Sequence, residues 1–86
     1  MSQAQQQEVY LAQVRWRCRR GLRELDVLLM SYFDQFFAKS SSERQLAFVA
    51  LLDMQDPVIL SYLTGGAKPQ DPAIVDIIQQ LARTRV

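Results

Sequence analysis

Apolar residues recur at steps of three and four along most of this chain, and that period admits helices and little else. Leu22, Leu25, Leu28, Leu29, Tyr32, Phe33, Phe36 and Phe37 stack on one helical face at this spacing. Ile74, Ile77, Ile78 and Leu81 repeat the pattern near the C-terminus. Alternation of apolar and polar residues never runs longer than a few positions, so strands have no support in the pattern. A chain of 86 residues buries about 64% of its unfolded surface, enough for one core and no second domain. The reading is therefore all-α: a compact five-helix bundle forming a single domain over residues 1–86, with about 1–6 frayed.

Start and stop signals place the five helices. The first runs from about Gln6 to Arg19, with Leu11, Val14 and Cys18 on its inner face, and the second from about Leu22 to Ala38. Ser40 to Ser42 interrupt the pattern, and Ser40 with Glu43 fits a reciprocal cap for a third helix, about Ser41 to Met54. Asp56-Pro57 and Asp71-Pro72 are two further starts: the carboxylate accepts from free first-turn amides, and proline tolerates that turn. They open a fourth helix, about Pro57 to Leu63, and a fifth, about Pro72 to Thr84. Gly65-Gly66 ends the fourth, because glycine takes the left-handed cap conformation at little steric cost. Arg83 and Arg85 complement the dipole at the end of the fifth.

Side-chain chemistry excludes whole classes of function. The chain has no histidine and one cysteine. Nucleophile–imidazole pairs, His-ligated zinc and an internal disulfide are all ruled out. Cys18 reads as a small buried hydrophobe, although the neighbouring arginines favour its thiolate. No run of apolar residues approaches a membrane span, and the N-terminus has neither a basic start nor an apolar stretch, so a cytoplasmic protein without membrane insertion is expected.

A net charge of +1 conceals an asymmetry. Residues 1–23 carry Arg15, Arg17, Arg19, Arg20 and Arg23 against Glu8, a net +4, whereas residues 24–63 carry two cations against six anions, a net −4. Such a cluster is a solvated face, a protein-binding surface or a phosphate-binding one. Arg15, Arg19 and Arg23 lie four apart and would stripe one helix, as a nucleic-acid contact requires. Against that, the sequence pI of 7.9 is low for a nucleic-acid module, and Glu24 and Asp26 follow the arginines directly.

The most informative stretch is Trp16 to Asp26. Gly21 sits between two strong helical patterns, where glycine costs about 1 kcal/mol against alanine. It is better explained as a turn or a point of close backbone approach. Arg20 and Glu24 are four apart and reach one another if the backbone is helical there. Trp16 fits either the core or, beside arginines, an interface hot spot.

The run Trp16-x-Cys18-Arg19-Arg20-Gly21-x-Arg23-Glu24-Leu25-Asp26 resembles the signature of the SdhE-type FAD assembly factors, the succinate dehydrogenase flavinylation factors. Their central Arg-Gly-x-x-Glu falls on Arg20, Gly21 and Glu24. Leu51-Leu52, Asp56-Pro57, Leu60 and Leu63 resemble a second family segment, and Gly66-x-Lys68-Pro69 a third, with the glycine shifted; Tyr62 stands where a tryptophan is expected. The resemblance spans about Val14 to Arg85. It implies a small five-helix chaperone, not an enzyme. Its partner would be the flavoprotein subunit of succinate dehydrogenase, or of the related fumarate reductase, on which it promotes covalent attachment of FAD to a histidine. It implies no cofactor held by this chain, a monomer, and a partner-binding surface at Arg20, Gly21 and Glu24, extended by Trp16, Arg19, Arg23 and Asp26. Two alternatives stand beside it: an antitoxin-like protein-interaction module and a small nucleic-acid-binding helical protein.

Overall fold

The computed structural model describes residues 2–86, and the helical period is realised in five helices joined by short turns. They are α1 (Gln3–Arg17), α2 (Arg23–Phe36), α3 (Ser42–Leu52), α4 (Asp56–Thr64) and α5 (Pro72–Arg83), with a 3-10 turn at Phe37–Lys39 after α2. No strand forms among the described residues.

Each boundary has a local cause. α1 begins three residues earlier than the apolar pattern predicts, because Ser2 and Gln5 form a reciprocal cap that periodicity does not reveal. Of the expected fraying over about residues 1–6, Met1 lies outside the described residues, whereas Gln3 to Gln6 belong to α1. α1 also stops at Arg17 rather than Arg19, and Cys18 closes it. The cap of α3 is Ser41, which accepts from the Arg44 amide at 3.2 Å; the expected Ser40–Glu43 pair does not form. Ser40 instead donates to the Phe36 carbonyl at 2.7 Å and closes the 3-10 turn. Asp71 caps α5 as predicted, accepting from the Ala73 amide at 2.9 Å. Gly65 ends α4 in the left-handed conformation at φ +83°.

The core gathers one stripe from every helix. α5 lies against α3 and contributes Ile74, Ile77 and Leu81; α2 contributes Leu25, Leu29 and Tyr32; α3 contributes Phe48, Leu51 and Leu52. Phe48 is fully buried at the centre, with ring centroids 5.0 Å from Tyr32 and 5.5 Å from Phe37. Burying a phenyl group of this size contributes about 2–3 kcal/mol. α1 is the loosest member. Val14 and Cys18 are buried and Leu11 packs against them, but residues 2–10 are all exposed. At the two ends of α2 the predicted apolar face is only partly used, since Leu22 and Phe36 remain exposed.

Candidate functional site

The junction of α1 and α2 is a five-residue corner, Cys18 to Leu22, and the sequence makes it for identifiable reasons. Cys18 anchors its base, fully buried, with its thiol donating to the Val14 carbonyl at 3.5 Å. Gly21 turns the chain at φ +85°, a conformation that other residues adopt only at a cost of roughly 1–2 kcal/mol. The turn reading of this glycine is therefore the one realised, and no helix runs through it. Leu22 is extended and starts α2 without a side-chain cap.

Asp26, one turn into α2, reaches back over the corner. Its carboxylate accepts from the Arg20 amide at 2.7 Å and from the Gly21 amide at 3.3 Å. Glu24 and Asp26 also place negative charge in the first turn of α2, where the helix dipole favours it.

Arg20 and Glu24 do not pair. With the helix broken at Gly21, the four-residue spacing no longer brings them together. The Arg20 guanidinium turns towards the α3–α4 connection. Its Nε donates to Asp56 Oδ1 at 2.7 Å, Nη1 to the Leu52 carbonyl at 2.7 Å and Nη2 to the Met54 carbonyl at 2.6 Å. Asp56 is a site residue that the local sequence does not reveal, because Asp-Pro spacing points to it only as the cap of α4. In the fold Gln55 occupies the cap position, Asp56 is the first residue of α4, and its carboxylate serves Arg20. The one signal that marks this segment is the Leu51-Leu52…Asp56-Pro57 run itself.

The other arginines separate in the same way. Arg15 makes a two-pronged pair with Asp34 at 2.9 and 3.1 Å, and Arg17 pairs with Asp53. The arginine-rich start is thus tied to the acidic middle by Arg15, Arg17 and Arg20. The stripe of Arg15, Arg19 and Arg23 does not exist as one helical face, because the corner interrupts it. Among the described residues Arg19, Arg23 and Glu24 make no ion pair, and all three are exposed. Arg19 lies over the Trp16 ring, 5.8 Å from its centroid. Trp16 is 69% exposed, which decides between core and surface in favour of surface.

Two apolar areas flank the corner. On α1, Val9, Ala12 and Trp16 form an open face with Gln13 and Arg17. Beside the glycine, Leu22, Leu25 and Leu60 line a shallow depression of about 340 Å³ rimmed by Arg23 and Glu24. The corner thus offers a left-handed turn at Gly21, unpaired charges of both signs and apolar surface. Cys18 contributes no reactivity. Burial pushes its thiol up to about 12, outweighing the pull of Arg15, Arg20 and Arg17.

Comparison with known proteins places these features in a wider set. A family model described as "Flavinator of succinate dehydrogenase" matches residues 12–85. A protein named FAD assembly factor SdhE from Aliivibrio fischeri is 36% identical over 70 residues, 81% of each chain. Proteins of the same name from Vibrio vulnificus and Yersinia pseudotuberculosis are each 34% identical, the first over 81% of both chains and the second over 79% of this chain and 77% of its own. The matched residues enclose the whole corner.

Proposed function

This chain belongs to the family of succinate dehydrogenase flavinators, and we propose that it is an assembly factor that docks on the flavoprotein subunit of that enzyme and promotes covalent attachment of its FAD. The related flavoprotein of fumarate reductase is a second client by the same logic. The observation that carries the reading is the corner at Gly21: a family match surrounds it, Gly21 is exposed, and Arg19, Arg23 and Glu24 beside it are exposed and make no ion pair among the described residues. Gly21 lets the partner's backbone approach closely. Glu24 makes charge-assisted hydrogen bonds to the client, and Trp16, Arg19 and Arg23 widen the contact, with Arg20 and Asp26 in the same corner. The flavin and the histidine that receives it stay with the client. This chain works as a non-catalytic chaperone, a monomer in the bacterial cytoplasm.

The mechanism asks for no catalytic group here. The factor binds more tightly to the client conformation in which the client's own groups meet the flavin, and it raises that population. The gain is bounded by the difference in affinity for the two client states.

The test is a bulky residue at Gly21. A Cβ there meets nothing within 4 Å in the fold, so the cost of Gly21→Arg to this protein is the strain of its left-handed backbone and not a clash at the Cβ. Covalent flavin on the client, read by in-gel fluorescence, is expected to fall to background while circular dichroism stays helical. Full flavinylation by a folded Gly21→Arg variant would sink the docking model. Glu24→Ala is an independent check. Loss of one hydrogen bond to a charged group raises the factor concentration needed by roughly 10- to 100-fold.

A further inference from the structure

We infer that Arg20 is a positioning residue: through Asp56 and the end of α3 it holds Gly21 and Glu24 in register, and it makes no bond to the client. The inference rests on the docking role of the corner proposed above and divides that corner into inward and outward parts.

The guanidinium is already engaged on every nitrogen. An arginine side chain has five N–H donors, and those of Arg20 reach Asp56 at 2.7 Å, Leu52 O at 2.7 Å, Met54 O at 2.6 Å and Arg17 O at 3.4 Å. Leu52 is the last residue of α3, so one of these bonds supplies a partner to a carbonyl that a helix end leaves free. The Arg20 side chain is 16% exposed and that of Asp56 27%. Turning the guanidinium outward would leave a half-buried carboxylate and three carbonyls without this donor. The backbone of the same residue is held from the other side by Asp26. Arg20 therefore ties the end of α1, the start of α2 and the α3–α4 connection together at one point. Glu24, Arg19 and Arg23, by contrast, make no ion pair among the described residues.

The acceptors around Arg20 lie at separate backbone and side-chain positions. A planar fork reaches them together, whereas the three donors of an ammonium group radiate from one atom and do not span them. Lysine is therefore not a substitute here, although it preserves the charge.

The experiment uses the full chain with Arg20→Lys, Arg20→Gln, Asp56→Asn, the double variant Arg20→Gln/Asp56→Asn, and Glu24→Ala. Two quantities are read. One is hydrogen exchange at the Gly21 amide without client. The other is a titration of factor against apo-flavoprotein subunit and FAD, giving the half-saturating concentration and the plateau of covalent flavin. Asp56→Asn and both Arg20 variants are expected to speed Gly21 exchange and to raise the half-saturating concentration about tenfold, the scale of one charge-assisted bond, with the plateau unchanged. The double variant is expected to match Arg20→Gln within about twofold, since both changes cut one tie. A normal titration for folded Asp56→Asn beside a weakened Arg20→Gln would mean that Arg20 contacts the client, and the inference fails. Multiplying effects in the double variant overturn it too, as does unchanged Gly21 exchange. Should Arg20→Gln fail to fold, Asp56→Asn and Arg20→Lys still decide. Glu24→Ala separates the two levels: if it titrates like the natural protein the docking reading itself falls, and if it weakens while Asp56→Asn does not, only the positioning role falls.

Discussion

The chain starts two helices with the same dipeptide, and the two behave differently. At Asp71-Pro72 the aspartate sits outside α5 and accepts from the Ala73 amide, as a local start signal prescribes. At Asp56-Pro57 the helix begins one residue earlier, Gln55 takes the cap position without a side-chain bond, and Asp56 gives its carboxylate to Arg20. The difference lies outside the local sequence. Asp71 makes no ion pair among the described residues, whereas Asp56 faces a guanidinium that is itself half-buried. A charge-assisted bond in such a place is about twice as strong as one between neutral groups. The dipeptide reports where a helix begins to within a residue; the tertiary partner decides what the carboxylate does.

The largest consequence is expected at Cys18, which opens the segment that Asp56 ties down. Cys18 is fully buried, and burial raises its thiol from 9.0 to about 12, so at pH 8 the folded protein is expected to be labelled far more slowly than the unfolded chain. An aromatic disulfide reagent, followed by absorbance with and without urea, measures this. Asp56→Ala is expected to speed labelling of the folded protein more than Asp71→Ala does. Equal acceleration would break the contrast between the two starts.

Stability gives the next measure. Asp56→Ala leaves the Arg20 guanidinium without its carboxylate in a partly exposed site and is expected to cost about 2 kcal/mol, less than a fully buried pair. Asp71→Ala removes a cap and is expected to cost about 1 kcal/mol. For a domain of this length that corresponds to falls in Tm of about 10 and 5 °C, readable by thermal circular dichroism. The reverse order would show that the cap, not the tie, is the stronger use of the dipeptide.

The same contrast explains how much of the molecule is legible in its sequence. Ile74, Ile77 and Leu81 are legible because α5 is amphipathic at a strict period and its N-cap is local. Gly21 and Gly65 are legible as turns, since left-handed backbone has a residue-specific cost. The corner's position and its glycine can therefore be placed from sequence. Its wiring cannot. Arg20 finds Asp56, 36 positions away, and Arg15 finds Asp34, 19 away; no local spacing encodes such partners. The exposure of Trp16 is also undecidable locally, because it depends on where α1 ends and which of its faces meets the bundle.

The two left-handed glycines sharpen the comparison further. A Cβ added at Gly21 or at Gly65 meets no atom within 4 Å, so Gly21→Ala and Gly65→Ala are expected to cost the same backbone strain, about 1 kcal/mol each. In function they should part: Gly65→Ala is expected to support normal flavinylation, while Gly21→Ala lowers it. A matching loss in both would reduce the role of Gly21 to turn formation.

The smallest effect concerns the exposed pairs, which lack the burial that distinguishes Arg20–Asp56. Hydrogen bonds from Arg15 and Arg44 hold the carboxyls of Asp34 and Asp76 below their usual 3.8. A lowered folded value means that the folded state favours the ionised form. The stabilisation is therefore complete above about pH 5 and is lost as pH falls through the folded values. Asp34→Asn and Asp76→Asn are each expected to flatten the acid limb of a urea-midpoint-against-pH curve by lowering its neutral plateau slightly while leaving the acid end unchanged. Asp76 is the less exposed of the two, 39% against 52%, so screening by water weakens its pair less and its variant should flatten the limb more. Added salt should shrink both effects, because charges this open to solvent are screened. An acid limb insensitive to both substitutions would assign the pH dependence to carboxylates away from these pairs.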